Sequence, residues 1–269
     1  MTERRSAPLP PGLREAFPGC RSLICVAVRL EPLVTDREYS VAFSGLAPDY
    51  HGQVTEACRA AAAGAVLCDH VPFSEKELAA RAGLGFVARN GLLWSDSMEA
   101  FPYLGEVVSE DPPGDPPGPA PLRRCPEGGC PGTPCSACPA LAGGFRRELC
   151  VSHITQKGGP FSREETERIG ARLYGCDDCQ TGCVMYRRTP RVTPMPPLEY
   201  WIDLSREEYA RVRGRYPFLW IGRNRVRRNA LCVACNLGLP DAKERVGRAL
   251  GDPSATVSRT AEALMERIQ

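Results

Sequence analysis

Between Cys125 and Cys183 the chain carries eight of its 14 cysteines: Cys125-PEGG-Cys130-PGTP-Cys135-SA-Cys138-P, then Cys150, then Cys176-DD-Cys179-QTG-Cys183. Thiolates in such number point to metal. Iron–sulfur cubanes usually take four cysteines each, and in two-cluster ferredoxins a cysteine set in Cys-Pro crosses to the second cluster. Eight cysteines therefore suit two 4Fe–4S clusters, with Cys138 ahead of Pro139 and with Cys176, Cys179 and Cys183 at C-x2-C-x3-C spacing. The first run is irregular, with four residues between cysteines twice where two are usual. Two other chemistries use cysteine. Zinc would take Cys135/Cys138 with Cys176/Cys179 as a four-thiolate site, but Cys125, Cys130, Cys150 and Cys183 would then have no use. Disulfides need an oxidising compartment, and the opening MTERRSAPLPPG has no apolar segment to send the chain there.

Cys150-VSHIT, followed by Ile169-GARLYGCDDCQTGC, resembles the double-cluster region of the epoxyqueuosine reductases, cobalamin-dependent iron–sulfur enzymes of queuosine tRNA modification. The resemblance implies that Cys125, Cys130, Cys135 and Cys183 hold one cluster, and Cys138, Cys150, Cys176 and Cys179 the other. Val184 stands where the family has proline. An upstream segment is similar to the family's cobalamin-binding domain. Asp69 and Pro72 match its Asp-x-x-Pro, Glu75 its following acid, and Gly83-LGFVARN its Gly-Leu-Gly-Trp-Ile-Gly-Lys-Asn. Leu104-Gly-Glu and Asp49-Tyr50-His51 match further family triplets. Ala88 replaces a glycine and Arg89 a lysine, which stiffens the loop and makes its cation a planar fork.

What the resemblance implies is a reductase with two 4Fe–4S clusters and cobalamin. Removing an epoxide oxygen as water takes two electrons and two protons, so a general acid must stand near the substrate. By the resemblance that acid is Asp69. Desolvation by Leu67, Val71 and Phe73 would raise its pKa enough to donate near neutrality. Tyr50, His51, Arg89, Asn90, Ser152, Asp177 and Asp178 are the implied cofactor contacts. Asp177 and Asp178 could equally cap the helix after them. Implied partners are tRNA, through its anticodon stem-loop, and an external electron donor such as flavodoxin or ferredoxin.

The elements that must position these residues are legible in part. With 269 residues the chain holds one large domain or two to three small ones, and 43% hydrophobic content describes a globular protein. A net charge of +2 gives no global bias. No apolar run approaches the roughly 18 to 20 residues of a membrane helix. A soluble, cytoplasmic protein follows. Residues 1–12, rich in proline and charge, are expected to fray. Ser22–Val28 reads as a buried strand, 53–63 as a helix and 64–68 as a second buried strand. Cys20, Cys25, Cys58 and Cys68 read as packing thiols. Ser74 with Glu77 forms the pattern of a capping box for a helix over 75–82, and 91–94 reads as a strand after the Gly85–Asn90 loop.

Residues 111–121, DPPGDPPGPAP, read as a semi-rigid linker, and 189–197 as a second boundary. The expected fold class is α/β (α+β). A cobalamin-binding α/β domain over 13–110 is followed by a ferredoxin-like double-cluster module over 122–195. A basic segment and a short HEAT-like helical tail occupy 196–269. Within 205–228 stand eight arginines against two glutamates. Such a run is either a solvated face or a phosphate-contacting one, and Tyr209, Tyr216, Phe218 and Trp220 lie within it. Helices are expected over 227–237, 241–250 and 254–268, with Cys232 and Cys235 as core residues. The most concrete functional expectation is reduction of epoxyqueuosine to queuosine in tRNA. The alternatives are a related cobalamin and iron–sulfur reductase acting on another substrate, dehalogenase-like, and a two-cluster electron carrier without cobalamin.

Overall fold

The run Ser22–Val28 is apolar at almost every position, which suits a strand covered on both faces. In the computed structural model, which describes residues 1–69, 71–114, 124–127 and 129–268, it is an inner strand of a four-stranded antiparallel sheet. The order is Thr2–Ala7, Ser22–Val28, Tyr103–Ser109, Ala65–Leu67. Leu23, Cys25 and Ala27 face the helix Glu75–Arg81 and pack with Leu78, Ala79 and Val108. Val26 and Val28 face the opposite way, toward Val54 and Cys58 on the helix Tyr50–Ala61. Period-two alternation thus splits one strand between two cores.

Three local expectations are corrected. The amino terminus is not frayed: Thr2–Ala7 pairs with the buried strand from Thr2↔Val28 to Ala7↔Leu23. Its charged side chains suit an edge strand, where backbone hydrogen bonds rather than side-chain burial hold the segment. The capping box does not form; Ser74 caps nothing and its hydroxyl is buried without a partner. The expected strand over 91–94 shrinks to Leu93–Trp94, one arm of a hairpin with Phe86–Val87. The linker read over 111–121 falls outside the described residues from 115 onward.

The chain packs as two units that alternate along the sequence. The sheet belongs to the first, which comprises Met1–Glu31, Asp49–Phe145 and Asp178–Thr189. The second comprises Pro32–Pro48, Arg146–Asp177 and Pro190–Gln269. Its strands form two short parallel pairs, Leu33–Thr35 with Arg191–Thr193 and Ser40–Val41 with Arg172–Tyr174. Its core is organised by the helix Arg223–Asn236, which packs against Leu198–Ile202, Ala242–Ala249 and Ala255–Ile268. Cys232 is fully buried there and Cys235 packs at its edge, as core thiols should. This helix starts earlier than the expected residue 227, so that four arginines of the basic run fall within it.

Those arginines divide the run in two. Arg223, Arg225, Arg227 and Arg228 turn inward, donating to the carbonyls of Leu204, Gln156, Ile202 and Thr155. Arg206, Arg211, Arg213 and Arg215 remain exposed. Phe218 is core, whereas Trp220 is 65% exposed and donates its Nε1–H to the Tyr174 hydroxyl at 2.8 Å.

Candidate functional site

In the first unit, Cys125, Cys130, Cys135 and Cys183 stand around one cavity of about 120 Å³, with Cys179 also in its wall. Two short helices bring the last thiols there: Pro134–Ala137, capped by Thr133, and Asp178–Thr181. They pack closely because residue 182 is glycine; a Cβ there would stand 2.4 Å from Pro134 Cγ. Burial pushes the Cys135 thiol up, as do the neighbouring thiols Cys125, Cys183 and Cys130, while Arg89 pulls the other way. Among the described residues no three such side chains close on a single-ion position. Four thiols around a cavity match instead the donor set of a cubane, which spreads its ligands over a bulky core.

The Phe86–Trp94 hairpin supplies part of this wall through Ala88, Arg89 and Asn90. The Arg89 backbone N–H donates to Cys125 Sγ at 3.3 Å. Asn90 is a clamp: its Nδ2 donates to the Cys179 carbonyl at 3.2 Å, and its Oδ1 accepts from the Leu92 N–H at 3.1 Å. Both residues, singled out as cofactor contacts, are therefore brought to the thiol cavity.

Asp69 lies elsewhere in the same unit, after the strand Ala65–Leu67. Its carboxylate accepts from the Tyr50 hydroxyl at 2.8 Å and contacts His51 Nε2 at 2.6 Å. The helix Tyr50–Ala61 presents both partners at its start, where Asp49 accepts from the Gly52 N–H, and the Tyr50 and His51 rings stack with centroids 3.9 Å apart. Tyr50, His51 and Asp69 thus form one cluster. The desolvation expected around Asp69 is not what the fold supplies, since its side chain is 42% exposed. The backbone at Asp69 is left-handed, with φ +65, an uncommon state for a non-glycine residue.

In the second unit, Cys150 immediately precedes the helix Val151–Gln156. Ser152 on this helix accepts from its own Gln156. Thr155 of the same helix accepts the Gly175 N–H at 2.9 Å, which anchors the turn ahead of Cys176. Gly175 itself has φ +66 and lies where a Cβ would meet Ala42 Cβ at 2.3 Å. Asp177 does cap a helix, though an earlier one: it accepts the Phe43 N–H at 2.6 Å, at the start of Phe43–Leu46. Asp178 opens the helix Asp178–Thr181 in the first unit, as Cys138 opens the turn Pro139–Leu141.

Two charged side chains lie in surroundings that the sequence does not announce. Glu106 is completely buried, with neither carboxyl oxygen hydrogen-bonded. Burial, and then the neighbouring Glu75, push it up to about 9. The signal was an acid inside the apolar strand Tyr103–Ser109. Arg228 is also completely buried, bonded to the carbonyls of Thr155, Lys157 and Gly159. In sequence it is indistinguishable from the exposed arginines beside it.

No family model matches the chain. Curated relatives do. The epoxyqueuosine reductase of Staphylococcus aureus is 31% identical over 191 residues, 63% of this chain and 47% of the relative. That of Lactococcus garvieae is 35% identical over 179 residues, 59% and 48% of the two chains. Among solved structures, the epoxyqueuosine reductase of Streptococcus thermophilus superposes with a TM-score of 0.78 at 22% identity, covering 95% of this chain and 76% of its own. An epoxyqueuosine reductase solved with an epoxyqueuosine-modified tRNA-Tyr stem loop gives 0.76 at 21% identity, covering 100% and 86%. These likenesses establish a mixed α/β fold shared with those structures. The chain is similar to the epoxyqueuosine reductases and spans about half the length of the curated relatives it matches.

Proposed function

We propose that this chain is an iron–sulfur and cobalamin-dependent reductase that converts epoxyqueuosine to queuosine in tRNA. The observation that carries the reading is the cavity walled by Cys125, Cys130, Cys135 and Cys183, in a chain similar to enzymes named for that reaction. These four would ligate one 4Fe–4S cluster, and Cys138, Cys150, Cys176 and Cys179 a second. Clusters of this kind cover potentials of roughly −700 to +450 mV, so a pair supplies one-electron steps to a corrin when both are bound.

The chain's own residues supply binding and proton handling. The hairpin amide of Arg89 donates to Cys125 and holds that ligand in place. Asn90 fixes the Cys179 backbone. Asp69 delivers a proton to the departing oxygen, with Tyr50 and His51 fixing its carboxyl. The region 13–110 would carry the corrin, 122–195 the clusters, and the helices of 196–269 a HEAT-like grip on the anticodon stem-loop. The exposed Arg206, Arg213 and Arg215, beside Trp220, suit phosphate and base contact. An external one-electron donor of the flavodoxin or ferredoxin kind and a cytoplasmic location belong to the same proposal.

The test is anaerobic reconstitution, with iron, sulfide, corrin and zinc assayed together, followed by incubation of the loaded protein with an epoxyqueuosine stem-loop and a low-potential reductant. About eight irons, bound corrin and loss of the epoxide are expected. Corrin-free protein with full iron would point to an electron carrier, and loaded protein inert toward the epoxide would point to another substrate.

A further inference from the structure

We infer that a protonated Glu106 beneath Glu75 forms a brace that sets the position of Asp69. The inference rests on the assignment of Asp69 as the proton donor, and makes Glu75 and Glu106 positioning residues for that reaction.

Glu106 sits on Tyr103–Ser109, directly between Cys25 and Leu67 in the strand register and beneath the helix Glu75–Arg81. It is 0% exposed and both its oxygens lack hydrogen-bond partners. An ionised carboxylate in such a place is strongly disfavoured. Among the described residues, the titratable groups around it offer no cation. They are Glu75 from the helix above, Cys25 from the adjacent strand, Cys58 from the helix on the other face, and Cys68 and Asp69 after Ala65–Leu67. Glu106 therefore carries the proton, and Glu75 is the charge that acts on it most strongly.

Glu75 in turn reaches back across six residues, accepting the Asp69 backbone N–H on Oε1 at 3.2 Å. Burial raises Glu75 as well, although the Asp69 amide pulls it down. Asp69 needs such a restraint. Its left-handed φ of +65 is strained, and strained backbone persists only where the surroundings over-determine it. Tyr50 and His51 hold the carboxyl; Glu75 holds the amide. Ionising Glu106 would set a second negative charge against Glu75, drive it off the amide and release the Asp69 turn.

The experiment follows hydrogen exchange at the Asp69 amide in the reconstituted protein against pH, corrected for intrinsic exchange, alongside the pH profile of epoxide reduction. In the wild type, protection of Asp69 and turnover should fall together on the alkaline side. In Glu106→Gln, which keeps the shape and a donor toward Glu75 but cannot ionise, both alkaline limbs should vanish. One pH unit above the wild-type limb this is a difference of about tenfold relative to each protein's own plateau. Glu75→Ala should expose the Asp69 amide at every pH. Infrared spectra at neutral pH should show a protonated carboxylic acid band that Glu106→Gln removes. A missing band, or protection that ignores pH in the wild type, overturns the brace. Protein that shows the band and the protection limb yet reduces no epoxide keeps the brace and sinks the proposed activity instead.

Discussion

Replacing Arg228 by methionine tests whether the carboxy-terminal helices exist to position cysteines. The guanidinium is 0% exposed and lies 3.7 Å over the Phe161 ring. It donates to the carbonyls of Lys157 at 3.0 Å, Gly159 at 2.5 Å and Thr155 at 3.1 Å, and to Asn229 Oδ1 at 3.0 Å. Asn229 adds donations to the Thr155 and Leu173 carbonyls at 2.9 and 2.8 Å. Together they tie the segment after Cys150 to the strand before Cys176. Burial lowers the Arg228 pKa to about 10, which leaves it charged at neutral pH. Each carbonyl deprived of its donor loses about 1–3 kcal/mol, and relief of the buried charge offsets part of this.

The two carbonyls left without this donor, those of Lys157 and Gly159, and the lost contact over the Phe161 ring put the cost at about 3–5 kcal/mol. With a urea slope near 3 kcal/mol/M, the unfolding midpoint of Arg228→Met should fall by about 1–2 M at unchanged slope. Arg225→Met is the control. Arg225 is part-exposed and donates once, to the Gln156 carbonyl at 3.2 Å, so it should cost about 1 kcal/mol. Anaerobic urea unfolding measures both, and iron content of Arg228→Met should drop as the Cys150 and Cys176 segments loosen. A midpoint within about 0.3 M of wild type would refute the reasoning, because it would mean that the Lys157 and Gly159 carbonyls lose their donor at no cost, Thr155 keeping Asn229.

Asp69→Asn should lower turnover by about 10²–10⁴-fold with iron, sulfide and corrin contents unchanged, the size expected for loss of a general acid; retained turnover removes Asp69 from its role. Cys135→Ala should remove about four irons, one cubane's worth, whereas Cys25→Ala should remove none, as iron analysis will tell. Arg213→Ala and Arg215→Ala should weaken stem-loop binding uniformly and each lower the salt slope by about one, read from binding against salt; unchanged slopes would leave these arginines as a solvated face. Glu106 ionises near 4.5 when unfolded and near 9 when folded, so across that window the folded state holds one more proton. Stability should therefore fall as pH rises, by about 1.4 kcal/mol per unit, and the excess slope should disappear in Glu106→Gln.

What could be read in advance follows from which forces are local. Ser22–Val28 was legible because a strand covered on both faces must be apolar throughout. The helix Glu75–Arg81 was legible in extent but not in its start: the pattern named Ser74 and Glu77, yet the Ser74 hydroxyl has no bond and it is Glu75 that turns back, to Asp69. Thr2–Ala7 was not legible at all: TERRSA pairs through its backbone, and a charged edge strand carries no apolar pattern. The arginine run misled for the same reason in reverse. Arg223 and Arg228 have the composition of a surface and the hydrogen bonds of a core. Nor does spacing along a chain reveal that packing alternates, with Pro32–Pro48 in one unit and its neighbours on both sides in the other.

The cysteines show how far residue type alone can carry an assignment. All 14 are chemically the same side chain, and spacing sets eight of them apart as candidate ligands. Burial disfavours several of the others for a physical reason. Cys20, Cys25, Cys58 and Cys232 are fully buried, and burial pushes Cys58 up to about 11. Cys68, at the sheet's edge, is pushed to about 12. Such thiols stay protonated, and a metal needs thiolate. The eight from Cys125 to Cys183 are half-buried and stand in loops or at the ends of short helices. There a cluster could reach the sulfurs, and backbone amides such as that of Arg89 are free of helix bonding to stabilise the charge. The same interior that disqualifies Cys25 as a ligand keeps Glu106 protonated beside it. The core of the sheet therefore holds protons, while the thiols offered to a cluster lie in loops and at short helix ends.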